Sequence, residues 1–383
     1  MKRKSNFVLF CSVIAFVMVL TAACSGSTAT TPVGLRVVTA SSDNTARVWD
    51  AGTGKTIAIL QGHTGPVVSA VFSPDGKYVV TASTDKTARV WEAATGKSIA
   101  VMSGHVAPII RALYSSDGKW IVTAGGDNTA RVWEATSGKP IIVLGTETPD
   151  GNQVMSAAFS PDRQFVLTAV GHDNVKVWEI ATGKIVAEYQ TPPPISILNS
   201  ALYSPDGRFV ITASGRPAGE QQGDMNPRVW EPGTGQVISQ LTGHTAGVTS
   251  AMFSPDGRWV VTASYDKTAR VWEAATGKLV AELDGHTGAL NRAVFSPDGT
   301  WILTASVDHT ARVWEAATGK TIAVLQGHTG IVHSALFSPD GRYIVTASSD
   351  NTARIWEAAT GKLVAELDGH TGSVNGAVFS PQP

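Results

Sequence analysis

Histidine, threonine and aspartate recur along this chain at fixed spacing, each set followed by a tryptophan: His63, Thr81, Asp85 and Trp91; His105, Thr123, Asp127 and Trp133; His244, Thr262, Asp266 and Trp272; His286, Thr304, Asp308 and Trp314; His328, Thr346, Asp350 and Trp356. An imidazole between a hydroxyl and a carboxylate is the arrangement that activates a nucleophile in many hydrolases. Repetition argues against that chemistry, because a catalytic site needs one copy and a scaffold needs many. A metal reading of the histidines fails as well, since whole repeats separate them and the additional His309 and His333 occur singly. Nor does Gly52-Thr53-Gly54-Lys55-Thr56 complete a phosphate-binding loop, because Trp49 stands where the leading glycine of that motif belongs. The sequence therefore calls for no cofactor and no metal.

The elements that must position these residues are short strands. In the stretch from Gly243 to Asp284, the runs Val248 to Phe253, Trp259 to Ala263, Ala269 to Trp272 and Leu279 to Leu283 are separated by turn-formers, which predicts four antiparallel strands. Ser254-Pro255-Asp256-Gly257 has Pro and Asp where a type I turn wants them, with Gly for the left-handed position that follows. Tryptophans ending a third strand recur at Trp49, Trp91, Trp133, Trp178, Trp230, Trp272, Trp314 and Trp356, at intervals of 42, 42, 45, 52, 42, 42 and 42 residues. A four-stranded unit at that period points to a propeller blade.

The repeat resembles the WD40 family, whose marks are a Gly-His pair before the first strand and Trp-Asp ending the third. Gly-His survives in six places here, whereas Trp-Asp occurs only at Trp49-Asp50 and is mostly Trp-Glu elsewhere, a change that keeps the charge. The resemblance implies that each His, Thr, Asp and Trp set forms a hydrogen-bonded tetrad, running from indole N–H to Thr, Thr to His, and His to Asp. It also implies a sixth set shared between the chain ends, in which His370 joins Thr39, Asp43 and Trp49.

That sharing follows from how the repeat is cut. Arg36 to Ala40, Thr45 to Trp49 and Thr56 to Leu60 match second, third and fourth strands, and the missing first strand is Val374 to Phe379. The expected fold is all-β: an eight-bladed propeller of four-stranded antiparallel blades over residues 35–383, closed by pairing the C-terminal strand with the N-terminal blade. An open ring would leave a blade face and strand edges exposed. A single monomeric propeller is expected despite the length, since repeats bury their faces against each other.

Residues 1–23 read as a signal peptide, with a basic head at Lys2, Arg3 and Lys4 and an apolar stretch from Phe7 to Leu20. That stretch is short for a membrane span of about 20 residues. It resembles a bacterial lipoprotein signal cleaved before Cys24, which would then carry the lipid; Thr21 stands where the family usually has Leu. An ordinary cleaved signal and an uncleaved anchor are the alternatives. Residues 24–34 are small and polar, as suits a flexible tether. The resemblance implies a bacterial cell envelope, with the outer membrane or periplasmic side favoured because Ser25, rather than Asp, follows the cysteine. Cys11 would leave with the signal, so no disulfide or cysteine-based metal site is expected. Without the first 24 residues, 27 Lys and Arg face 31 Asp and Glu. Such mild acidity gives no reason to expect nucleic acid as a partner.

The repeats stop agreeing in the fourth and fifth blades. Residues Gly145 to Asn152 and Gln190 to Ile195 replace the Gly-His approach, Ser214 to Asn226 carries about eight extra residues, and His172 takes the place of the tetrad Asp, displaced to Asp173. These irregularities are expected on one face, with Asp150, Pro193, Arg216, Glu220, Gln221 and Gln222 as candidate partner contacts and Tyr265 as a bordering aromatic anchor; neutral drift is the competing reading. Elsewhere the rim offers Ser42, Pro66, Val68, Thr84, Pro108, Ile110, Thr249, Asn291, Val307, His333 and Asn375, a bland set suited to an apolar or peptide partner and without a charge cluster. The leading functional expectation is a lipid-anchored scaffold binding a protein or peptide. The alternatives are a hydrolase or oxidoreductase-type propeller enzyme with a channel site, and a purely structural surface protein.

Overall fold

The computed structural model describes residues 34–145, 153–171, 174–190, 198–215 and 225–381. Its strands form eight four-stranded antiparallel sheets, each running from an innermost to an outermost strand. Seven are consecutive in sequence. In the first blade, Arg36–Ser41, Thr45–Asp50 and Thr56–Gln61 are joined by Val374–Phe379 from the other end of the chain. Thr39 lies opposite Ala377 and Val37 opposite Phe379 in that seam, and Arg36 exchanges backbone and hydroxyl hydrogen bonds with Ser380. The strands expected in the sixth blade are found as Val248–Phe253, Trp259–Ser264, Ala269–Glu273 and Leu279–Leu283.

Burial follows from the repeat. Second strands such as Tyr78–Ser83 are buried at five of their six positions, because both faces of the blade middle are covered by neighbours. Outer strands such as Thr56–Gln61 bury only Ala58 and Leu60, the alternation of a strand with one wet face. Apolar side chains gather in eight clusters, each spanning two adjacent blades; one joins Val48 and Leu60 of the first blade to Val67, Val79 and Trp91 of the second.

Two faces result. The Ser-Pro-Asp-Gly turns between first and second strands lie on one, where the Ser73 hydroxyl donates to Asp75 at 2.6 Å and accepts from the Tyr78 amide at 2.9 Å. Arg36–Ser41 starts and Val374–Phe379 ends on this face, where the Arg36 guanidinium donates to the Gly76 carbonyl of such a turn at 2.7 Å. Gly52 to Thr56 is a hairpin turn here, with the Gly54 amide on the Asp50 carbonyl and φ of +68°. On the opposite face, approach loops meet the turns between second and third strands, as where the Thr84 amide donates to the Pro66 carbonyl.

Ending the chain after Gly372 removes Val374, Ala377 and Phe379 from the core and reopens the ring. The expected loss exceeds about 5 kcal/mol, the lower end of whole-domain stability, whereas deleting residues 25–31 should leave the melting temperature unchanged. Thermal denaturation of the two truncated chains checks this, and equal melting temperatures would show that the last strand does not supply closure.

Candidate functional site

Six of the eight sets of polar residues form one repeated chain of hydrogen bonds. The indole N–H of Trp49, Trp91, Trp133, Trp272, Trp314 or Trp356 donates to the threonine hydroxyl of its blade at 2.8–2.9 Å. Each of these hydroxyls, on Thr39, Thr81, Thr123, Thr262, Thr304 and Thr346, lies 2.7–2.8 Å from a histidine Nε2. The histidine Nδ1 lies 2.7–2.8 Å from the nearer aspartate oxygen. His370 reaches Thr39 and Asp43 across the seam, so the first blade's set is assembled from both ends of the chain. A neutral imidazole with its proton on Nδ1 gives every short contact a donor and an acceptor.

The aspartate is the most heavily used group. One oxygen of Asp85 accepts from the Thr87 amide and hydroxyl, and the other from His63 and the Thr64 amide. Burial by itself raises these carboxyls. The threonine, histidine and backbone donors outweigh it and hold Asp43, Asp85, Asp308 and Asp350 at about 2. Burial lowers His63, His286, His328 and His370 below the ordinary histidine value; the aspartate opposes this and a nearby arginine adds to it.

An arginine from the third strand explains the glycine of each Gly-His pair. Arg89 lies 5.9 Å from the centroid of Trp91, and a Cβ on Gly62 would meet its guanidinium at 2.9 Å. Gly62 also has φ of +157°, at the margin of the conformations glycine favours. These histidines are buried and spent on structure. Among the described residues, no group of three or more His, Cys, Asp or Glu could hold a metal ion.

Blades four and five keep only half of this network. Trp178 still donates to Thr168 and Trp230 to Thr212, both at 2.9 Å. Where other outer strands carry a leucine such as Leu283, Tyr189 stacks on Trp230 with centroids 5.5 Å apart and an interplanar angle of 11°, and its hydroxyl donates to the Pro232 carbonyl.

Of the expected partner surface, Asp150, Pro193, Arg216, Glu220, Gln221 and Gln222 lie outside the described residues, as do His172, Asp173 and Cys24. Tyr265 is half-buried, and its amide donates to the Gly247 carbonyl at 3.0 Å. Gly215, where the fifth-blade insertion begins, packs so closely on Gly247 that a Cβ there would lie 2.3 Å from its Cα. The base of the insertion and Tyr265 therefore flank the same approach loop.

Several rim positions prove to line the central channel: Val68, Ile110, Thr249, Asn291, His333 and Asn375. Most of the polar ones are engaged. Asn199, Thr249, Asn291 and Asn375 donate to carbonyls of Val248, Leu290, Val332 and Val67, each on the next blade, at 2.8–2.9 Å. His333 lies 3.2 Å from the Ser373 hydroxyl. One residue further along the same innermost strands stand Arg111 and Arg292, which the rim reading missed. Their signal was available in the repeat, since five other blades have serine at that position and the first has Gly376.

The family model "WD domain, G-beta repeat" matches residues 19–50, 54–92, 96–134, 138–179, 235–273, 277–315 and 319–357, together well over half of the chain. No relative among curated proteins matches. Among solved structures, the crystal structure of the computationally designed Ika8 protein is similar at a TM-score of 0.71 and 26% identity, over 83% of this chain and 91% of that one.

His244→Ala and Trp272→Phe each leave a buried partner unsatisfied and should each cost about 1–3 kcal/mol. Because both act on one network, the double variant should lose less than the sum; strict additivity in a denaturation cycle would argue against coupling through Thr262. The same network sets the acid response. Histidines held below their unfolded value of 6.5 withdraw stability as pH falls through 6.5, and aspartates held at about 2 withdraw more below 3.8. Melting temperature should therefore decline in two stages on acidification, with no contribution from these groups between pH 7 and 9.

Proposed function

Because this chain belongs to the WD40 family of β-propellers, we propose that it is a binding scaffold for a protein or peptide, held at a bacterial cell envelope by lipid on Cys24. The observation that carries the scaffold reading is where the chemistry-bearing side chains go: the repeated His, Asp and Thr groups are buried and saturated by one another, so their role is to fix the blades. We assign the partner surface to the face opposite the Ser-Pro-Asp-Gly turns. There the base of the fifth-blade insertion meets the sixth-blade approach loop beside Tyr265. Aromatic side chains at such a border make efficient anchors for a partner.

The anchoring part of the reading rests on the lipoprotein-like segment ending at Cys24 and the polar tether after it. Fold alone does not separate this role from an enzymatic or a purely structural one.

Co-purification from membranes of the source cell tests both parts. Shortening Ser214 to Asn226 to a regular turn, or making Tyr265→Ala, should abolish recovery of the partner while the melting temperature stays within a degree or two, because loop length changes closure entropy slowly. Val68→Ala, on the distant second blade, should leave recovery intact; the reverse pattern would move the site across the ring. Cys24→Ser should release the protein from membranes and abolish acyl labelling, and continued attachment without label would assign the anchor to the stretch Phe7 to Leu20.

A further inference from the structure

The central channel encloses a cavity of about 340 Å³, within the size range of small-ligand sites. Among the described residues, its lining contains no aspartate or glutamate, yet it contains two arginines. Arg111 is on the innermost strand Ile109–Tyr114 of the third blade and Arg292 on Leu290–Phe295 of the seventh, four blades apart and so on opposite walls of an eight-membered ring. Both are half-buried, and no hydrogen bond or ion pair joins either guanidinium to another described residue. This sets them apart from the third-strand arginines, of which Arg270 and Arg354 pair with Glu282 and Glu366. Burial, and then the charge of Arg111, push Arg292 down to about 10, so the two cations share the channel at mutual cost.

The other blades use the equivalent position differently. Ser69, Ser156 and Ser250 accept a hydrogen bond from an alanine amide of the next blade, and the Ser200 and Ser334 hydroxyl oxygens are likewise buried in the wall. Arg111 and Arg292 thus stand out in a lining of apolar and neutral polar residues such as Leu202, Leu336 and Asn291.

We propose that the channel binds a small oxyanion of the phosphate class, free phosphate or a phosphate monoester, between Arg111 and Arg292. A dianion neutralises both charges at once, which a monocarboxylate does not. Guanidinium forks match phosphate oxygens bidentately. Tyr265 is not among the lining residues, so its substitution does not touch this site.

Calorimetric titration of the purified full-length protein with inorganic phosphate in a phosphate-free, low-salt buffer tests the proposal, with glycerol phosphate as the monoester arm. Saturable one-to-one binding and a rise in melting temperature are expected for at least one of the two, and the tighter one identifies the source. Arg111→Gln and Arg292→Gln should each weaken binding at least tenfold, and the double variant should not bind. Without anion, Arg292→Gln should melt higher than the unaltered protein because the repulsion is gone, so its loss of affinity is separable from misfolding. The proposal is overturned by absence of saturation at millimolar phosphate and glycerol phosphate, by undiminished binding in the double variant, or by an equal thermal shift with chloride at matched ionic strength.

Discussion

No blade of this protein buries its own apolar surface. A four-stranded sheet has two apolar faces, and in this chain each is covered only by the neighbouring blade, which is why the core is divided into eight clusters at eight interfaces. The arrangement is complete only as a ring, because an open array leaves one face at each end in water. The seam between Val374–Phe379 and Arg36–Ser41 is therefore a condition for all the other contacts, and the cluster beside it unites Val37 and Trp49 with Val345 and Ile355 of the eighth blade.

The polar interior is organised to the same end. Burying an indole, an imidazole and a carboxylate together is costly unless every donor is matched, and the six complete sets achieve this without water. Each set also ties an approach loop to the turn opposite, through the amide after the histidine and the second aspartate oxygen. Where blades four and five abandon the histidine, the Trp–Thr bond remains and Tyr189 covers Trp230 by stacking. The core is kept there, since Trp230 stays 4% exposed.

Much of this was legible because the sequence repeats. Strand count, closure and the residues of each polar set follow from aligning the copies, and a single unit such as Gly243 to Asp284 shows its turns through Pro, Asp and Gly. The channel was less legible. Thr249, Asn291 and Asn375 look like free rim groups in sequence, yet a carbonyl of the next blade is within reach of each, 41 residues away for the first two and 308 across the seam for Asn375, a relation that strand periodicity does not express. Arg111 and Arg292 look like isolated departures in an alternating strand. Only ring geometry makes them face one another, because residues four repeats apart become opposite walls.

The way the chain enters its first blade has a mechanical consequence. Tension applied along the segment preceding Gly34 reaches Arg36–Ser41, which is bonded on one side to Thr45–Asp50 and on the other to Val374–Phe379. A pull directed along that strand would shear two ladders at once and spread the force over all their hydrogen bonds. An outer strand such as Thr56–Gln61 is held on one side only and would peel one bond at a time. The first strand of the ring thus meets traction with pairing on both sides, and the C-terminal strand that closes the ring is half of that grip.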